Sequence, residues 1–372
     1  LVRLPENIRG VLERLVQDLS KQEPISGIGL FGSWGRGDAV PTSDVDLLIV
    51  DTRDFNYEYV ERLEFDGLLV DLDYIPKKWI KGAIPPEIDQ KLYEVGVLYD
   101  RDWSLTNMQN WMSKTYRKLE RVDIRTESYV VESDMYLSRA TSAFDRGDFQ
   151  SARIFSTMGM ESVLKVLIDV NLLPFSNSHF IQVLEEAAKR VRMPEFFVSY
   201  LTAARLFRVD RNEAERKLSL LRSIWEDIAA FMKEHASTVD SLHFKTRTKL
   251  RYYTKPAFLA GMIARSQAII NTESFAEAAH YVLRTLIEMV ENYTWMLATV
   301  EKVRLDYTTL FHSLRQLEKP PMQVYRYAVD ALNVGEATHD ETEKAVKFAR
   351  EMNLNLRRRR KELIKTFVRP QA

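Results

Sequence analysis

Residues 29–50 read GLFGSWGRGDAVPTSDVDLLIV, and this stretch decides the N-terminal architecture. An apolar run ends at Phe31 and breaks at Gly32-Ser33. Ten residues rich in Gly, Pro, Thr and Asp follow, and a second apolar run then carries Asp44 and Asp46. Strand, small-residue turn, loop, strand with two carboxylates is an order suited to a phosphate cradle facing a metal site. Side chains two apart on a strand leave the same face, so Asp44 and Asp46 point together. Downstream, Tyr59–Phe65 and Leu68–Ile75 flank Asp66-Gly67, a strong two-residue hairpin signal. The second hairpin strand carries Asp71 and Asp73, again two apart. Like charges on one strand face cost stability unless something neutralises them. Divalent cations do so economically: Mg²⁺ takes hard oxygen ligands, usually one or two carboxylates plus substrate phosphates. Two such ions about 3.5–4 Å apart activate an attacking oxygen and stabilise a leaving one.

The Gly32-Ser33 turn suits the phosphate half of that task. A helix starting there would aim free backbone N–H groups at an anion. Gly32, Gly35 and Gly37 allow close approach, Ser33 adds a hydroxyl donor, and Arg36 brings a planar fork of donors for a triphosphate. Around this centre, residues 6–20 space their apolar positions as an amphipathic helix. Residues 25–31 and 45–50 read as strands, 87–93 as one or two helical turns, and 95–99 as a last strand. Residues 1–104 thus form a small α/β domain of four or five strands.

The segment GSWGRGDAVPTSDVDLLIV resembles the signature of the DNA polymerase beta-like nucleotidyltransferase superfamily, Gly-Ser followed after a spacer by Asp-x-Asp in an apolar strand. Its flavour is that of the minimal and kanamycin nucleotidyltransferase-like groups. The resemblance implies nucleotide binding by Gly32, Ser33 and Arg36. It also implies a metal-binding, catalytic trio of Asp44, Asp46 and, on the neighbouring hairpin strand, Asp71, with Asp73 as the alternative. The expected cofactor is Mg²⁺ or Mn²⁺ and the expected nucleotide is ATP. Asp38 and Asp51 read as loop and strand-end residues. The general base is not legible; Asp71, Glu132, Asp134 and Glu161 are the options.

Beyond residue 104 strand signals disappear. Helical spacing runs over 106–122, 128–145, 149–170, 179–191, 195–207 and 211–234. The overall expectation is α+β: a small mixed-sheet domain, then a large all-α region. GDFQSARIFSTMGMESVLKVLI followed by SHFIQVLEEA resembles a HEPN domain, or the related C-terminal bundle of kanamycin nucleotidyltransferases. The Arg and His spacing of nuclease-type HEPN domains is missing, which argues against a ribonuclease. Residues 105–235 are assigned to this bundle, 236–258 to a basic connector, and 259–372 to a second bundle with a basic tail. FAEAAHYVLRTLIEMVENY and FHSLRQLEKPP echo the first bundle's pattern, as a duplication would. The Arg357–Lys361 run, with Lys365 and Arg369, could grip RNA or end a helix in solvent. The cluster of Arg247, Lys249, Arg251, Tyr252, Tyr253 and Lys255 reads either as a nucleic-acid surface or as a charged linker.

The 53 basic and 53 acidic side chains cancel, so no global field favours nucleic acid or membrane, and a dedicated tRNA enzyme is disfavoured. Absence of cysteine excludes disulfides and thiolate metal sites. With no long apolar run, the chain reads as cytoplasmic and without a membrane partner. Protein, RNA and small molecules all remain open as acceptors, as does a homodimer. The alternative is a nucleotide-binding regulatory protein that recognises a partner through its bundles with little turnover.

Overall fold

The computed structural model describes residues 4–40 and 43–368. Pro41 and Thr42 of the spacer and Arg369 of the basic tail lie outside the described residues. The first stretch runs α1 (Glu6–Ser20), β1 (Ile25–Phe31), α2 (Gly32–Arg36), β2 (Val45–Asp51), β3 (Tyr59–Phe65) and β4 (Leu68–Pro76). It continues through α3 (Lys77–Lys81), α4 (Asp89–Glu94), β5 (Gly96–Asp100) and α5 (Ser104–Thr115). Then come α6 (Leu119–Asp145), α7 (Phe149–Val170), α8 (Phe180–Arg190), α9 (Pro194–Ala203), α10 (Arg211–Glu234) and α11 (Ala236–Ser241). The rest is α12 (Phe244–Tyr253), α13 (Pro256–Asn271), α14 (Phe275–Val300), α15 (Leu310–Leu317), α16 (Val324–Leu332) and α17 (His339–Phe367).

Two compact units result: Leu1–Lys118 together with His243–Arg265, and Leu119–Leu242 together with Ser266–Ala372. The first holds the mixed sheet, ordered β3-β4-β2-β1-β5, in which only β2 and β4 run parallel. Asp66 and Gly67 both have positive φ, as a tight two-residue hairpin requires, and this fixes Arg62 opposite Asp71. One sheet face buries Ile28, Leu30, Leu47 and Ile49 against Leu12 and Leu15 of α1. On the other face Leu48, Val50 and Ile75 meet Leu92, Leu105 and Met112 of α4 and α5. Register brings Asp46 and Asp71 together at the sheet end beside the β1–α2 turn. Segment 236–258, read as a connector, is largely helical, and α12 packs on β3.

In the second unit a long helix, two short ones and another long helix follow one another twice, as α7–α10 and α14–α17. The two series exchange caps. Asp148, the N-cap of α7, accepts from Ser151 N at 3.1 Å and also from His312 N of α15 at 3.0 Å. Ser151 Oγ accepts from Phe311 N at 2.8 Å. In return Glu277 in the first turn of α14 accepts from Ile181 N and Gln182 N of α8, at 3.1 and 2.9 Å. The first short helix of each series, α8 and α15, thus has two N–H groups satisfied by the other series. Asp148→Ala strips two helix starts at once and is expected to cost about 1–2 kcal/mol, read as a lowered urea midpoint with unchanged slope.

The basic tail is only partly solvent-facing. Arg360 is buried and donates to Asp123 and Thr126 of α6, and Arg357 pairs with Asp134. Those two cations fasten α17 to α6. No helix among the described residues is long and apolar enough to cross a membrane.

Candidate active site

Gly32 follows directly on β1 and has φ +67°, the left-handed region that favours glycine. A Cβ placed there would stand 2.2 Å from Asp46 Oδ2, so the turn and the carboxylate occupy neighbouring space only because residue 32 lacks a side chain. Register explains the meeting: Phe31 pairs with Asp46 across β1 and β2, and Asp46 pairs with Asp71 across β2 and β4. Asp44 stands one residue before β2. The Ser33 carbonyl accepts from Gly37 N and Asp38 N, closing the turn. Gly32→Ala adds left-handed strain of about 1 kcal/mol and pushes the Asp46 carboxylate aside. Since misplacing a reacting group by an ångström costs on the order of 100-fold, the variant is expected to fold yet lose most of the turnover this site supports, read as an initial rate beside a thermal melt.

The carboxylates differ in what holds them. Arg62 forks onto Asp71, Nε to Oδ1 at 2.6 Å and Nη2 to Oδ2 at 2.5 Å, and Nη2 also reaches Asp44 Oδ2 at 2.5 Å. Arg265 of α13 donates to Asp44 Oδ1 at 2.6 Å, and Tyr252 of α12 donates to Asp71 Oδ2 at 3.2 Å. Gly261 makes room for Arg62: a Cβ there would lie 2.6 Å from Nη1. Asp46, by contrast, makes no hydrogen bond or ion pair to the described residues, and burial followed by the charges of Asp44 and Asp71 pushes its carboxyl well above the usual range. Burial also raises Asp71, against the pull of Arg62. Asp73 points to a different partner, Lys91 of α4, which it shares with Glu58. Of the two hairpin carboxylates, only Asp71 sits opposite Asp46.

Arg36 is engaged with Glu94 at 2.7 Å and Asp38 at 3.0 Å. Arg62, Arg265 and Lys91 were not singled out from the sequence, and Tyr252 was named only within the basic and aromatic cluster, not as a partner of Asp71. Arg62 had a signal: a two-residue turn at 66–67 pairs 65 with 68 and hence 62 with 71. Asp51 is held by Arg53, in keeping with a strand-end role. Glu132, Asp134 and Glu161 belong to the second unit, where each already has partners: Lys165, then Asn353 and Arg357, then Tyr200, His280 and Arg284.

Among the described residues no three carboxylates or histidines converge as a ready metal cage. The donor chemistry nevertheless fits a hard divalent cation: three carboxylates in mutual electrostatic reach, one with no cationic partner in contact. Two guanidiniums touch Asp44 and Asp71 and neither touches Asp46, leaving one negative charge uncompensated by direct pairing among the described residues.

Residues 12–96 match the family model described as a nucleotidyltransferase domain. The chain thus carries an enzyme domain for nucleotidyl transfer, a family that typically works with divalent metal ions. Among solved structures, one similar to this chain is a nucleotidyltransferase-like protein from Exiguobacterium sibiricum 255-15. It is 11% identical, with 85% of this chain and 96% of that one covered at a TM-score of 0.32. No curated protein matches.

Proposed function

We propose that the chain transfers a nucleoside monophosphate, AMP from ATP, to a hydroxyl acceptor and releases pyrophosphate. The observation that carries this reading is the seating of the Gly32 turn on Asp46, with Asp71 across the parallel pair and Asp44 beside it. The acceptor oxygen attacks the α-phosphorus, the bond to the bridging oxygen breaks, and its electron pair leaves with pyrophosphate. Gly32 and Ser33 face the phosphates. Asp44, Asp46 and Asp71 would hold Mg²⁺ or Mn²⁺, which supplies Lewis-acid stabilisation of phosphoryl oxygens when bound. Arg62 and Arg265 hold the acids in place, and Arg36, ion-paired as it is, lies at the far end of the short helix from Gly32. Catalysis then comes chiefly from positioning and charge stabilisation.

Incubation with each of the four α-labelled nucleoside triphosphates and a cell extract tests the reading. Label from ATP on protein, RNA or a small molecule names the acceptor class, and absence of transfer from every nucleotide defeats the proposal. The grip of Arg62 on both Asp44 and Asp71 favours one second reading, a nucleotide-binding regulatory protein with little turnover, since those acids are neutralised from within the chain. Saturable ATP binding with no product would select it. Because Arg265 competes for Asp44, Arg265→Met is expected to tighten Mn²⁺ binding about fivefold, the effect of roughly 1 kcal/mol. Titration of the free-ion paramagnetic resonance signal measures this, and unchanged affinity would remove Asp44 from the metal site.

A further inference from the structure

The second unit has its own cavity, formed where α7, the end of α9, α14 and the end of α16 meet. It offers about 50 Å³ to the centre of a water-sized sphere, several times the roughly 10–15 Å³ that one water needs. Ile154, Met158, Leu206, Leu283, Ile287 and Leu332 make its walls apolar. Its polar groups converge. Arg284 donates Nε toward Glu161 at 3.4 Å and Nη2 toward Glu288 at 3.3 Å, while its buried Nη1 has no partner. His280, 4% exposed, engages Glu161 through Nε2 at 3.3 Å and leaves Nδ1 without a partner. Arg153 and Arg205, also lining the cavity, share a single carboxylate, Glu341, at 3.2 and 4.0 Å. Three guanidiniums and one carboxylate thus line an apolar chamber; Glu288 also compensates Arg284, while Arg153 and Arg205 have Glu341 alone between them.

The geometry points to a second ligand site in the helical unit, taking a small carboxylate with a short apolar body. The carboxylate meets the guanidinium side of the chamber, where Arg153 and Arg205 have only Glu341 between them. The apolar body lies on the Ile, Leu and Met walls. The site is independent of the nucleotidyl-transfer reading, and its ligand is either a metabolite-sized acid or an acidic effector of the same chemistry.

Thermal unfolding and calorimetry of the full chain test this with butanoate as probe and 1-butanol, butylamine and inorganic phosphate as controls. Saturable stabilisation by butanoate is expected. Arg205→Met, at a half-exposed position, is expected to weaken it about tenfold, and Ala203→Phe, which fills the chamber, to abolish it. Either folded variant suffices for the test. Butanol or butylamine acting as well as butanoate would overturn the charge requirement, and phosphate acting without butanoate would overturn the apolar body. No response to butanoate, or wild-type binding by both variants, would overturn the site itself.

Discussion

Replacing Asp46 with asparagine is expected to cut nucleotidyl transfer at least about 100-fold while leaving the fold intact. Both halves follow from this carboxylate's surroundings. Asn keeps the shape that fits against Gly32 but loses the charge needed to engage a divalent ion and its phosphate ligand. Among the described residues Asp46 anchors no partner, and Asp44 and Asp71 repel it, so its neutralisation strands no partner charge there. The melting temperature in chelator should stay level or rise. Transfer assays with α-labelled ATP, alongside thermal melts, check the two halves separately. Wild-type transfer by the variant would exclude Asp46 from the chemistry, and a collapsed melting temperature would make it structural.

Glu161→Gln is expected to have the largest effect on stability, about 3–5 kcal/mol at neutral pH. This side chain accepts from Tyr200 Oη at 3.0 Å and faces His280 and Arg284. Burial by itself would raise its carboxyl, but Arg284 and His280 outweigh burial and hold it well below the usual range. A carboxyl depressed in the folded state contributes stability above its unfolded value of about 4.3, lost as pH falls toward the folded one. The gap between wild type and variant should therefore be full near neutrality and narrow steadily on acidification below about pH 4. Urea denaturation at a series of pH values reads it directly. A gap that stayed constant into strong acid would show that Glu161 acts through shape rather than charge.

Much of the candidate site was legible because its logic is local. The Gly32-Ser33 break, the two strands and the Asp66-Gly67 hairpin lie within some fifty residues, and their period-two patterns place Asp44, Asp46 and Asp71 without long-range information. Helix α7 was equally readable, running from Phe149 to Val170 as its spacing indicates, since an apolar stripe and the Asp148 cap agree. What escaped was carried by charged residues that turn out to be buried. Helical spacing over 106–122 and again from 128 reads as a break between them, yet the chain breaks after Thr115, and α6 runs unbroken from Leu119 to Asp145, burying Val122 and Arg125. Likewise α12 hides Leu250 and Tyr253 among lysines and arginines, so composition reads as linker where the chain is a helix packed on β3. Arg265 had no local signal and the cluster holding Tyr252 gave none of its partner: they meet Asp44 and Asp71 across 221 and 181 residues.

That separation matters during synthesis. A ribosome adding about 5–20 residues per second completes the five strands early, with Arg62 already opposite Asp71. Arg265 follows Asp44 only after 221 more positions, about 10–40 s later. Throughout that interval the nascent domain exposes its acidic end with a single guanidinium in contact. A gene fragment stopping at Lys118 would fix this immature charge balance permanently, so its metal and nucleotide affinities would describe a translation intermediate rather than the finished enzyme domain.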